Sequence, residues 1–66
     1  MKVIINGKVE EIEEGLSISG LVKKYRPESA GVVVELNETI ARRERWPDTT
    51  IKENDVIELI SFVGGG

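Results

Sequence analysis

Neither cysteine nor histidine occurs among the 66 residues of the chain. Their absence removes disulfides, thiol nucleophiles, imidazole bases and the usual zinc sites together. Long hydrophobic runs are missing too. Met1-Lys2 leads only into Val3-Ile4-Ile5, which is too short for a signal peptide. No apolar stretch approaches the ~20 residues of a membrane span. The chain is therefore read as cytoplasmic. It also lacks a basic excess. Nine Lys and Arg stand against twelve Asp and Glu, for a net charge of −3. Nucleic acid calls for a basic patch, so it is not an expected partner. A mildly acidic surface suits a basic protein partner and serves solubility equally well. A chain this short buries about 60% of the surface its unfolded form exposes. That allows one domain, no pocket with walls of its own, and a core that Val, Ile and Leu must hold unaided. No cofactor and no metal are expected.

What is present reads as short alternating elements. Lys2 to Ile5 is strand-like, Asn6-Gly7 is a strong type I′ turn signal, and Lys8 to Ile12 returns. Glu13-Glu14-Gly15 breaks the second strand. Ser17 is a good N-cap for a helix whose Ile18, Leu21, Val22 and Tyr25 share one face. Gly20 weakens that helix by roughly 1 kcal/mol relative to Ala, and Pro27 stops it. Val32 to Leu36 is a third strand. If Glu35 faces water, so does Val33, leaving Val32, Val34 and Leu36 inward. Asn37-Glu38 turns the chain into a brief strand at Thr39 to Arg42. The stretch Arg43 to Thr50, with the single Trp, shows no period and is expected to be irregular. Glu53-Asn54-Asp55 is a turn before the last strand, Val56 to Phe62. On that strand Ile57 and Leu59 share one face with Ser61, and Val56, Glu58, Ile60 and Phe62 share the other. One helix covering one face of a mixed sheet is an α+β arrangement.

The end of the chain, Gly64-Gly65-Gly66, follows directly on this apolar strand. An internal triple glycine is only a spacer. At a C-terminus it is a carboxylate on a backbone without side chains, able to enter a narrow channel in a partner. The domain is thus read as residues 1–63, with residues 64–66 as a tail. A frayed end is the bland alternative. All twelve acids are expected to be exposed, which leaves no paired-carboxylate site. Glu10, Glu11, Glu13 and Glu14 read as a solvated edge that discourages strand-to-strand aggregation. Their functional alternative is a docking surface for a basic partner. Trp46 reads as a packing residue under its loop, with a binding hot spot as the alternative. Arg43 is expected to hold that loop by hydrogen bonds to carbonyls, or else to contact a partner.

The chain resembles the small sulfur carriers, most closely the thiamine-biosynthesis family (ThiS). The likeness covers nearly the whole chain. It is carried by Asn6-Gly7, the Ser17-Ile18 helix start, Asn37-x-x-Ile40-x-x-Arg43-x-x-Trp46, Asp55-Val56-Ile57-Glu58 and Val63-Gly64-Gly65-Gly66. Asn54 stands where the family often has Gly, and Asn tolerates the left-handed backbone. Arg42 stands where Pro is frequent.

The resemblance implies a β-grasp, ubiquitin-like roll, with the last strand central and beside the first. It implies a carrier that is not itself an enzyme. A ubiquitin-activating-like enzyme would adenylate Gly66, a partner persulfide would convert it to a thiocarboxylate, and thiazole synthase would take the sulfur. With no cysteine of its own, the chain must receive that sulfur from another protein. An apolar patch of Ile4, Val33, Ile60 and Phe62 on the sheet face away from the helix is expected to dock the activating enzyme. Three alternatives stay open here: the small subunit of a molybdopterin synthase, a ubiquitin-like modifier, and a plain interaction module with an inert tail.

Overall fold

The computed structural model describes residues 1–26 and 31–61. Strands β1 (Lys2–Ile5) and β2 (Lys8–Glu11) form the expected hairpin, paired Ile5 with Lys8 and Ile4 with Val9. Its turn is left-handed at Asn6 (φ 51°) and Gly7 (φ 82°), as a type I′ turn requires. Helix α1 (Ile18–Tyr25) starts at Ser17, whose Oγ accepts from the Gly20 amide at 3.1 Å. A side chain at Gly20 would stand 2.7 Å from Leu16 Cδ1, so this glycine leaves room for Leu16 beside the helix. The expected stop at Pro27 lies outside the described residues.

Strands β3 (Val32–Leu36), β4 (Thr39–Ala41) and β5 (Val56–Ser61) complete a five-stranded sheet in the order β2-β1-β5-β3-β4. The β1–β5 pair is parallel and the other pairs are antiparallel. The last strand is therefore central and beside the first, as expected. One helix packs on one face. The core between them comprises Val3, Ile5, Ile12, Ile18, Leu21, Val22, Val32, Val34, Trp46, Ile51, Ile57 and Leu59. The strand phases expected from alternation hold for β1, β3 and β5. The expected final residue of the last strand, Phe62, lies outside the described residues.

Arg43–Asp48 is a 3-10 helix and not irregular. The Arg45 amide donates to the Arg42 carbonyl and the Thr49 amide to the Trp46 carbonyl. Such a turn needs only local i→i+3 bonds and leaves no 3.6-residue period in the sequence. Two of the polar expectations also change. Glu10 is half-buried beside Tyr25, and Glu35, Glu58 and Asp55 are half-buried as well. Burial first, then the charge and hydrogen bond of Glu10, push the Tyr25 phenol above its ordinary 10.0.

The β3–β4 turn is left-handed at both Asn37 (φ 51°) and Glu38 (φ 70°). Asn accepts that conformation, whereas a residue such as Glu loses roughly 1–2 kcal/mol in it. Part of this gain is offset by the unfolded-state freedom of glycine. Glu38→Gly is therefore expected to stabilise the domain by about 0.5–1 kcal/mol in a urea titration. A destabilised variant would show that the exposed Glu38 side chain contributes more than its backbone costs.

Candidate functional site

The sheet face away from α1 has no layer over it among the described residues. Its side chains follow from register. Val9, Ile4 and Val56 lie in one row across β2, β1 and β5. Glu58, Glu35 and Ile40 make a second row across β5, β3 and β4, and Ile60 lies opposite Val33. Of the expected patch, Ile4 and Val33 are half-buried and Ile60 is exposed on this one face; Phe62 lies outside the described residues. Three further apolar residues belong to the face: Val56, expected on the side of Ile60, and Val9 and Ile40, which alternation alone does not place there. Val9 is 68% exposed, Ile40 62% and Val56 38%. Alternation puts Val9 and Val56 on a face, but only the register sets them beside Ile4.

Two side chains fix the strand that leads from this face toward Gly64-Gly65-Gly66. The β1–β5 ladder ends at Ile5 and Ile57. Beyond it, Asn6 Oδ1 accepts from the Leu59 amide at 2.8 Å, standing in for the missing strand residue. Arg26 Nε donates to Ser61 Oγ at 3.1 Å, while its Nη1 donates to the Tyr25 carbonyl at 2.8 Å. Neither role was legible from composition or period. Gly64, Gly65 and Gly66 lie outside the described residues.

The spaced Asn, Arg, Trp and Asp residues do structural work. Asn37 Nδ2 donates to Asp55 Oδ1 at 3.0 Å, and Asn37 Oδ1 accepts from the Val56 amide at 2.9 Å. Asp55 Oδ2 accepts from the Lys52 amide at 2.7 Å, closing the turn in which Asn54 is left-handed (φ 70°). Together they tie the β3–β4 hairpin to the start of β5. Trp46 is buried, and its Nε1 donates to the Ala41 carbonyl at 2.9 Å. The Arg43 guanidinium lies 4.8 Å from the centre of the Trp46 ring, and Nη2 reaches the Val32 carbonyl at 3.4 Å. The packing role expected of Trp46 and the carbonyl contact expected of Arg43 are both present. No helix among the described residues is long and apolar enough to cross a membrane.

Residues 3–66 match the model of the ThiS family. The chain belongs to that family. It is 38% identical over 63 residues to the sulfur carrier protein ThiS of Bacillus subtilis (strain 168), covering 94% of this chain and 96% of that one. It is 34% identical over 68 residues to a thiazole synthase of Magnetococcus marinus, covering all of this chain and 20% of the synthase. The crystal structure of the thiamine biosynthesis protein ThiS from Geobacter metallireducens superposes with a TM-score of 0.84 at 35% identity, over the full length of both chains. The fold is thus the β-grasp roll of ThiS, as the resemblance implied, and α+β, as the element order implied.

Proposed function

We propose that the protein is a sulfur carrier of thiamine biosynthesis, that Gly66 is its reacting residue, and that it works in the cytoplasm. The observation that carries this reading is the family match through residue 66, which takes in the glycine end. An α-carboxylate with a pKa of about 3.3–3.7 is ionised at neutral pH and is a poor electrophile. It must be activated before sulfur can be added. An adenylating enzyme of the ubiquitin-activating type joins the Gly66 carboxylate to the α-phosphate of ATP and releases pyrophosphate. The terminal sulfur of a partner persulfide then attacks the acyl carbon, and AMP leaves. A thiol cleaves the resulting acyl disulfide, leaving a thiocarboxylate on Gly66 and a disulfide on the partner side. The carrier has no cysteine, so all three sulfur atoms of that exchange come from partners.

Thiazole synthase is the acceptor in this reading. Support comes from the Magnetococcus synthase, which contains a segment similar to the whole of this chain. Docking of the activating enzyme is assigned to the open sheet face through Ile4, Val33, Ile60 and Phe62. The tail from Val63 extends at most ~14 Å, which sets the depth of the channel that Gly64 and Gly65 thread.

The test is chemical. Incubation with the adenylating enzyme, ATP and a persulfide donor is expected to replace one oxygen by sulfur at the last residue, read by intact mass and by the C-terminal peptide. Recovery of unmodified protein alone would sink the reading. Isopeptide adducts on lysines would move it to a modifier.

A further inference from the structure

The middle of the open face is not apolar. Glu35 on β3 and Glu58 on β5 are directly opposite in the antiparallel register, and both are half-buried. Directly opposed side chains stand ~4.5–5.5 Å apart at Cβ, and like charges there are destabilising. Among the described residues neither carboxylate makes an ion pair. The two ion pairs found lie elsewhere, from the N-terminal amine to Glu11 and from Arg42 to Glu44. Around this acid pair on the same face stand Ile4 and Val33, half-buried, and Val56, Ile60 and Ile40, exposed.

Any protein that docks here strips water from both carboxylates. An apolar or acidic cover would leave two uncompensated charges, at a cost that exceeds what the surrounding aliphatic contacts return. A second copy centred on this pair is disfavoured for this reason, since like residues meet where the two-fold axis of an isologous contact passes. We infer that the partner covering this face carries one cationic side chain, best a planar guanidinium, that seats between Glu35 and Glu58 within an apolar surround. The inference rests on the carrier reading above, which makes that partner the adenylating enzyme. A guanidinium suits the site because its fork of donors can serve two carboxylates at once. Glu58 and Gly66 are on one continuous segment, eight residues apart. The backbone between them spans at most about 29 Å, so with roughly 10 Å more for the side chain, the cation contact and the reacting bond, the cation on the enzyme lies within about 40 Å of the bound nucleotide's α-phosphate.

The experiment uses the full chain carrying Glu35→Gln and Glu58→Gln, singly and together. The free double variant is expected to melt roughly 1–5 °C higher than wild type, because a like-charge pair is gone. Its affinity for the adenylating enzyme, measured by calorimetry, is expected to fall by about tenfold or more. The salt dependence of binding should flatten as well. Pyrophosphate exchange at saturating carrier should persist, since neither glutamate touches the reacting carboxylate, so KM rises with kcat kept. Unchanged or tighter binding of the double variant overturns the inference. So does a lower melting temperature, which would mean that the pair stabilises the free domain. Sedimentation that shows a wild-type dimer broken by the double variant would reassign the face to a second copy. Loss of binding to thiazole synthase alone would reassign it to that protein. A wild-type chain that the enzyme neither binds nor adenylates defeats the carrier reading itself, which separates the two failures.

Discussion

Adding one residue after Gly66 is expected to abolish adenylation while leaving thermal melting as in wild type. The extra residue moves the terminal carboxylate by about 3.5 Å. Reacting atoms must approach within about 3–3.5 Å, and a displacement of about 1 Å already costs on the order of a hundredfold in rate. A channel fitted to the shorter tail therefore holds the extended carboxylate out of reach of the α-phosphate. Gly65→Val is expected to have the same effect for a different reason. It places a branched side chain where the channel admits none and narrows the accessible φ/ψ. Stability is a separate matter. The three glycines carry no side chain to pack and follow the last strand, so changes there cost the fold little. ATP–pyrophosphate exchange with the adenylating enzyme measures the first effect, and a melting curve the second. Normal exchange by the extended chain would show that Gly66 does not present the reacting group. The plain interaction module with an inert tail would then be the better reading.

The parts of the fold that local rules govern were legible in the sequence. Asn6-Gly7 demanded its turn, Ser17 its cap, and the alternation of Val56 to Ile60 its two faces. What stayed hidden depends on contacts between distant segments. Alternation shows which residues share a face and leaves open which face is covered, so the side on which Val9 and Ile40 lie stays open until the sheet order is known. Glu35 and Glu58 are 23 positions apart. Nothing local says that they meet, and the expectation that every acid is exposed failed at that pair. The clamps at Leu59 and Ser61 were hidden in the same way, because Asn6 and Arg26 reach them across 53 and 35 positions. The 3-10 helix was missed because its bonds are too short in range to leave a hydrophobic period. Its anchor, Trp46, was nonetheless conspicuous as the single large aromatic in an aperiodic stretch.

That anchor carries the largest expected effect on stability. Trp46 is only 6% exposed, joins the core beneath the 3-10 helix, and bonds the Ala41 carbonyl on the edge strand β4. Truncation removes the ring, leaves a cavity that a small domain refills only in part, and strips Arg43 of the surface it stacks on. Trp46→Ala is expected to cost about 3–5 kcal/mol. A domain of this size has roughly 3–10 kcal/mol in total, so much of the variant should be unfolded or close to it. Denaturant titration followed by far-UV circular dichroism measures this, since the only tryptophan is gone. Trp46→Phe separates packing from the hydrogen bond. It keeps most of the apolar contact and loses the Nε1 donor, for an expected cost of about 1–2 kcal/mol. A loss below about 1 kcal/mol for Trp46→Ala would contradict the packing role. If Trp46→Phe instead keeps wild-type stability and loses affinity for the adenylating enzyme, the indole is a contact for the partner. The β4 corner would then join the docking surface.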